Sequence, residues 1–116
     1  MHSTYTNLAS NQVIRGGEKI AAEEVENELL GHELVQYAAL ISVSDPVLGE
    51  KICAILVCPE QAPKPIVLRK FLRQRGLADY KIPDRFEFIE QLPLTPVGKV
   101  NKKQLQALFD PVLSPA

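Results

Sequence analysis

The sequence lacks an excess of charge of either sign, and it lacks long apolar runs. Lysine and arginine number 13 against 14 aspartate and glutamate residues, which leaves a net charge of -1. A chain so nearly neutral has no bulk electrostatic attraction to nucleic acid or to an anionic membrane. No apolar run approaches the ~18–20 residues of a membrane span, and no secretory signal is recognisable. We therefore expect no nucleic-acid or membrane partner, and a cytoplasmic protein.

Cysteine and histidine are scarce, which limits the metal and disulfide chemistry that is available. Cys53 and Cys58 are the only cysteines, and their spacing places them on opposite faces of a strand. They should remain unpaired, as small buried side chains in a reducing compartment. His2 and His32 stand far apart, without a nearby cluster of further ligands. We predict no metal site.

The length suits one domain, and composition divides the chain into three parts. Residues 1–11 are polar and lack periodicity, which indicates a disordered leader or an altered linker. Residues 12–110 carry regular apolar patterns and should form the domain. Residues 111–116 are then a tail.

Apolar periodicity predicts three helices and three main strands. The helices are expected at 21–30, 65–76 and 102–109, and the strands at 35–44, 51–58 and 85–90. The first two strands are close in sequence and should pair antiparallel. The predicted fold class is therefore α+β: a small three-stranded sheet packed by helices, with an N-terminal β-turn hairpin.

Side-chain spacing predicts which residues face the core and which face water. The inward residues should include Val25 and Leu29, Phe86 and Phe88, and Leu105, Leu108 and Phe109. We interpret the acidic run Glu23, Glu24 and Glu26 as a solvated helix face. The same interpretation applies to the basic run Arg69, Lys70, Arg73 and Arg75, for which a docking surface for an acidic partner is the alternative.

The most informative segment is LPLTPVGKV at residues 92–100. It places Lys99 after a glycine, on a short turn directly before a helix. A lysine ammonium is a compact charge on a long stem, suited to oxygens on which negative charge builds. Gly98 would allow the backbone to approach a partner closely. An ordinary exposed lysine in a turn is the alternative.

A second glycine-rich turn, RGGEK at residues 15–19, lies near the other end of the chain. Gly16 and Gly17 lack the spacing of a Walker loop or of a dinucleotide fingerprint. With their charged neighbours they would form a slim tip able to line a narrow channel. The alternative is a tight turn that needs only positive φ.

Four motifs, in order, resemble the small C-terminal domain of adenylate-forming enzymes. They are QVIRGGEKIAAEEVE at 12–26, GEK at 49–51, KIPDR at 81–85 and PLTPVGKVNKK at 93–103. The likeness covers roughly residues 12–109. It points most closely to the aryl-acid-activating ligases of siderophore assembly, the 2,3-dihydroxybenzoate–AMP ligases.

The resemblance implies a mobile lid of a two-step enzyme. ATP and an aryl acid first give an acyl-adenylate, and the phosphopantetheine thiol of an aryl carrier protein then takes the acyl group. Lys99 would be the catalytic residue of the first step. The thioester step would use the loop Arg15, Gly16, Gly17, Glu18 and Lys19, and carrier docking would use Arg15 and Lys51. ATP and Mg²⁺ would be held mainly by an N-terminal adenylating domain.

The sequence departs from the family pattern before residue 12. The family's linker arginine falls on Leu8 and its hinge residue on Ser10, so neither is matched. We infer an excised domain that is inactive alone and lacks the acid pocket. Two alternatives stay open: a non-catalytic module that binds a carrier protein, and the lid of another acyl-CoA synthetase or amino-acid-adenylating enzyme. The lid interpretation requires that no carboxylate of the domain itself holds Lys99.

Overall fold

The computed structural model describes residues 12–112, which form five strands and three α-helices. The elements are β1 Gln12–Arg15, β2 Glu18–Ala21, α1 Ala22–Leu30, β3 Tyr37–Asp45, β4 Gly49–Val57, α2 Pro65–Gln74, β5 Arg85–Phe88 and α3 Lys102–Phe109. One 3-10 turn, Asp79–Lys81, was not predicted. The expectations for residues 1–11, including the linker positions 8 and 10, and for 113–116 lie outside the described residues.

A three-stranded sheet in the order β3-β4-β5 forms the centre of the fold. β3 and β4 pair antiparallel from Tyr37↔Val57 to Asp45↔Gly49, and β5 runs parallel to β4. The central strand is buried continuously from residue 52 to 57. Such a strand suits a sheet that is covered on both faces. The predicted α+β class and the antiparallel pairing are confirmed.

Each face of the sheet carries its own apolar core. Because side chains alternate along a strand, Leu40 and Leu56 face one side while Ile41 and Ile55 face the other. The first core includes Val25 and Leu29 of α1, Leu68 and Leu72 of α2, and Phe86 and Phe88 of β5. The second core is closed by Leu105 of α3. The helices thus form a layer on each side of the sheet.

The two cysteines follow the same alternation. Cys53 is buried in the core beneath α3, whereas Cys58 packs against the opposite core. Both are free thiols on opposite faces, and Cys53 is buried as predicted, but the expectation of burial was wrong for Cys58, which is half-buried directly after β4. Burial raises the pKa of the Cys53 thiol to about 12.

The last helix differs from the prediction in one side chain. Leu108 is 56% exposed, so the expectation that it faces the core was wrong. Leu105 and Phe109 lie four residues apart and form the inward stripe together with the half-buried Lys102 and Gln106. Leu108 lies outside that stripe, beyond Leu105 and away from Phe109 around the helix. Between residues 12 and 112, no helix has the length and apolar character needed to cross a membrane.

Candidate functional site

The Lys99 turn, residues 94–100, is closed by its own backbone. Gly98 N donates to Thr95 O at 2.9 Å, and Thr95 N donates to Lys99 O at 2.7 Å. Pro96 takes the second position and Gly98 the fourth, where type I turns favour these residues. Gly98 has a φ of 87°, a conformation that is strained for an L side chain. The backbone that carries Lys99 is therefore fixed by local geometry.

The Lys99 side chain itself is exposed. It takes part in none of the ion pairs formed within residues 12–112. A groove of about 780 Å³ opens beside it, between the middle of β3, the start of β1 and the first turn of α3. Lys102 and Lys103 also line this groove. Glu26 lines it too and pairs with Lys102, so the turn presents the Lys99 ammonium group free to meet an anion carried by another surface.

The base of the Lys99 turn is tied to the rest of the domain through Glu26. Lys102, the first residue of α3, places its Nζ 2.7 Å from Glu26 Oε2. The same carboxylate oxygen accepts a hydrogen bond from Leu40 N on β3, at 2.8 Å. The side chains of Glu26 and Lys102 are only 17% and 25% exposed. One carboxylate thus joins α1, β3 and the helix that follows Lys99.

The glycine hairpin, residues 12–21, has a two-residue turn at its tip. Arg15 pairs with Glu18, and Gly16 and Gly17 have φ values of 53° and 88°. Positive φ at both central residues matches the twist of antiparallel strands, and glycine adopts it without strain. A Cβ built on Gly17 would meet no atom within 4 Å. The tip is thus narrow and borders open space.

Asp84 fixes the hairpin to the sheet. Arg15 Nε donates to both carboxylate oxygens of Asp84, at 3.0 and 2.9 Å, and Asp84 Oδ2 also accepts from Ile52 N at 3.1 Å. The hydrogen bond to Asp84 raises the pKa of the Arg15 guanidinium. The tip is held as well, because Gly16 N donates to Glu50 O at 2.9 Å. The guanidinium of Arg15 is therefore directed at its own domain, with 31% of the side chain exposed.

Lys51, the other predicted docking residue, is also paired. Its Nζ lies 3.4 Å from Asp45 Oδ1, and 29% of its side chain is exposed. Because Ile52 contacts Asp84, Lys51 and the Arg15 pair belong to the same end of the sheet. Because side chains alternate along β4, however, Lys51 projects from the opposite face of the sheet to Ile52, and each docking candidate lies beside a carboxylate on its own face.

The predicted solvated faces are confirmed for most of the charged residues, since Lys70, Arg73 and Arg75 are exposed, and the main exception is Glu26. On α2, Arg69 donates to Asp84 O at 2.9 Å and Arg73 forms an exposed ion pair with Asp79. Arg75, directly after the helix, forms an ion pair with Glu28, and Lys70 is exposed. On α1, Glu23 is exposed, but Glu24 pairs with Lys81 and Glu26 is largely buried. The interpretation of the acidic run as a solvated face was therefore wrong for Glu26.

Sequence reasoning assigned no role to Glu26 or to Asp84, although both lie within quoted motifs. One local signal indicated that Glu26 could be partly buried: it directly follows Val25, which is buried on the inward face of α1. Residues 12–112 contain no group of three or more His, Cys, Asp or Glu side chains that could hold a metal ion.

The fold and these two turns define a class of domain, and a comparison with known families agrees. Residues 24–99 match the AMP-binding enzyme C-terminal domain family. The chain belongs to this family.

Individual relatives narrow the similarity further. The chain is 58% identical over 106 residues to the vibriobactin-specific 2,3-dihydroxybenzoate-AMP ligase of Vibrio cholerae, which covers 90% of this chain and 20% of that protein. It is 56% identical over 98 residues to the 2,3-dihydroxybenzoate-AMP ligase of Bacillus subtilis, with 84% and 18% covered. Among solved structures, apo MbtA of Mycobacterium smegmatis superposes with a TM-score of 0.78 at 39% identity, over 82% of this chain and 18% of that one. The chain thus spans about a fifth of the length of the relatives it matches.

Proposed function

We propose that this domain is the mobile lid of an aryl-acid adenylating ligase that activates 2,3-dihydroxybenzoate for siderophore biosynthesis. The observation that carries the proposal is the exposed Lys99, which is fixed by its turn and forms no ion pair within residues 12–112. The choice of acid is supported by relatives that are 56–58% identical and are named 2,3-dihydroxybenzoate-AMP ligases. The acid pocket belongs to the adenylating domain of such enzymes.

In the first half-reaction, the aryl carboxylate attacks the α-phosphate of ATP, and pyrophosphate leaves. Negative charge builds on the phosphate oxygens as the new bond forms. Lys99 enters the cleft of the adenylating domain and places its ammonium beside the carboxylate and the α-phosphate. Fixed positive charge at this point lowers the barrier by several kcal/mol, on the order of 3 or more. Mg²⁺ that accompanies ATP is assigned to the adenylating domain.

In the second half-reaction, the phosphopantetheine thiol of a carrier protein attacks the acyl-adenylate, and AMP leaves. The lid turns so that the glycine hairpin lies beside the channel that the pantetheine arm must enter. Gly17 suits this place because no side chain projects from the tip and no atom lies within 4 Å of its Cβ position. Arg15 and Lys51 are the cations assigned to attract the acidic carrier protein, since 31% and 29% of their side chains stay exposed beside their carboxylate partners. The two free thiols fit a reducing cytoplasm.

The test is Lys99→Ala in the full-length polypeptide that carries this domain. We expect acyl-adenylate formation, followed by ATP–pyrophosphate exchange with 2,3-dihydroxybenzoate, to fall by about a hundredfold or more. Transfer from preformed aryl-adenylate to the carrier should change far less. Lys70→Ala, on the exposed face of α2, is the matched control and should leave both rates unchanged. An equal loss in both steps would reject the role given to Lys99.

A non-catalytic module that binds a carrier protein is the second candidate. The observation that favours it is the basic surface of α2, although three of its four cations are already engaged. Titration of the 116-residue chain with apo and holo carrier protein separates the two functions. Binding to both forms alike, together with normal exchange in Lys99→Ala, would favour the module.

A further inference from the structure

The Lys99 turn and the glycine hairpin are each anchored by one carboxylate, and the two anchors have the same design. Glu26 accepts from Lys102 Nζ at 2.7 Å and from Leu40 N at 2.8 Å. Asp84 accepts from Arg15 Nε at 2.9 Å and from Ile52 N at 3.1 Å. In both places a cation and a backbone N–H of the central sheet share a single carboxylate. Arg15 lies within the hairpin, whereas Lys102 begins α3, two residues after the Lys99 turn.

The anchors reach different strands and different segments. Leu40 belongs to β3, which borders the groove beside Lys99. Ile52 belongs to β4 and lies close to the turn that joins β3 and β4. Both carboxylates are largely buried, with 17% of the Glu26 side chain and 20% of the Asp84 side chain exposed. Hydrogen bonds to ionised groups are shorter and stronger than neutral ones, so each anchor is a firm link to a rigid sheet.

We propose that Glu26 and Asp84 are positioning residues with separate duties: Glu26 aligns the Lys99 turn for adenylation, and Asp84 aligns the glycine hairpin for thioester formation. This inference rests on the proposed function. Neither carboxylate touches substrate. Glu26 acts through Lys102, three residues after Lys99, and Asp84 acts through Arg15, directly before Gly16.

The physical basis is the sensitivity of both steps to small displacements. A misplacement of about 1 Å by a change remote from the chemistry can cost about a hundredfold in rate. Glu26→Gln and Asp84→Asn keep size and an acceptor oxygen but remove the charge that holds the cation. Each should therefore loosen one segment and leave the other anchor intact.

The experiment uses the full-length polypeptide with 2,3-dihydroxybenzoate, and free pantetheine as the acceptor thiol, so that carrier docking does not enter. ATP–pyrophosphate exchange reports the first step, and transfer from preformed aryl-adenylate reports the second. We expect Glu26→Gln to lower kcat of exchange at least tenfold, with KM for ATP and the transfer rate within twofold of the parent. Asp84→Asn should lower transfer at least tenfold and leave exchange within twofold.

The matched controls are carboxylates near the two test residues in the sequence. Glu23→Gln removes an exposed carboxylate from α1, and Asp79→Asn removes one from the 3-10 turn, where the side chain is 87% exposed. Both should retain parental rates. If a carboxylate variant does not fold, the cation partners decide: Lys102→Met should lose exchange and Lys102→Arg should keep it. Arg15→Met should likewise lose transfer to pantetheine, while Arg15→Lys keeps it.

Parallel loss of both half-reactions in each variant, or loss in neither, would overturn the positioning roles. A parent polypeptide that supports no exchange with any acid would instead overturn the proposed function, and this inference with it. Exchange in the parent, with the expected loss in Lys99→Ala but no separation between Glu26→Gln and Asp84→Asn, would remove the positioning roles alone.

Discussion

The Lys99 turn and the glycine hairpin each contain a glycine with positive φ, but they expose different groups to their surroundings. Gly98 and Gly17 have φ values of 87° and 88°, and a Cβ at either would meet no atom within 4 Å. The first turn presents a cation that forms no ion pair within residues 12–112, whereas the cation of the hairpin, Arg15, is bound by Asp84. The Lys99 turn therefore exposes a charge, whereas the tip of the glycine hairpin exposes backbone without a side chain.

This difference matches the demands of the two proposed steps. Adenylation builds negative charge, which an ammonium group held in place by its turn stabilises. Thioester formation needs a narrow passage for a long thiol arm, which a bare glycine tip leaves open. A domain with two such turns can serve both steps if it reorients between them.

The largest predicted effects come from adding the same bulky side chain to each tip. Gly17→Leu should slow transfer from preformed aryl-adenylate by roughly a hundredfold, because the side chain enters the channel, and should spare pyrophosphate exchange. Gly98→Leu should show the reverse pattern, because it displaces Lys99. Both half-reactions are measured in the full-length polypeptide. Equal patterns for the two variants would erase the functional difference between the turns.

Alanine at the same positions tests whether the two backbones are equivalent. Gly17→Ala and Gly98→Ala should each destabilise the fold by about 1–2 kcal/mol, because an L residue is strained at this φ. Since neither Cβ meets a neighbour, the two losses should agree closely. Urea unfolding of the 116-residue chain measures both. A much larger loss at one site would show that its surroundings contribute beyond φ.

Removal of Lys51, one of the two proposed docking cations, should have a several-fold effect that is confined to carrier docking. Lys51→Ala should raise KM for the carrier protein in thioester formation, because attraction between complementary charges assists encounter. The effect should shrink at high salt. Transfer to free pantetheine should not change. A Lys51→Ala enzyme with an unaltered KM for the carrier would remove Lys51 from the docking surface.

The smallest effect concerns Asp45, at the turn between β3 and β4. Hydrogen bonds from the N–H groups of Leu48 and Val47, and the nearby Lys51, lower the pKa of Asp45. A carboxyl whose pKa is lower in the folded state stabilises the fold above its unfolded pKa of about 3.9, and this stabilisation is lost as pH falls through the folded value. Asp45→Asn should therefore have a lower free energy of unfolding than the parent at pH 6. This gap should shrink as the pH falls to 2. A gap that stays constant over that range would contradict the assignment.

Local patterns were sufficient for the turns and most of the core, but not for the anchors. Positive φ at Gly16 and Gly17 follows from two adjacent glycines between short strands, and the inward stripe of α1 follows from the spacing of Val25 and Leu29. Lys102 and Glu26, in contrast, are 76 residues apart, and Arg15 and Asp84 are 69 apart. No periodicity reports such pairs, because only the folded sheet brings them together.

Leu108 shows the same limit on a smaller scale. A helix of eight residues offers several apolar combinations, and the sequence alone favoured the one that includes Leu108. Packing against the sheet selects among these combinations, because only the narrow stripe of α3 that contains Leu105 contacts the sheet. The sheet also decides which charges are buried, as Glu26 demonstrates.

The central claim is that each turn serves a different half-reaction, and its most direct test is a ratio. The rate of acyl-adenylate formation divided by the rate of acyl transfer is measured for Lys99→Ala and for Gly17→Leu in the same enzyme preparation. Our account predicts that the ratio falls strongly in the lysine variant and rises strongly in the glycine variant. A ratio that moves in the same direction in both, or in neither, would contradict it.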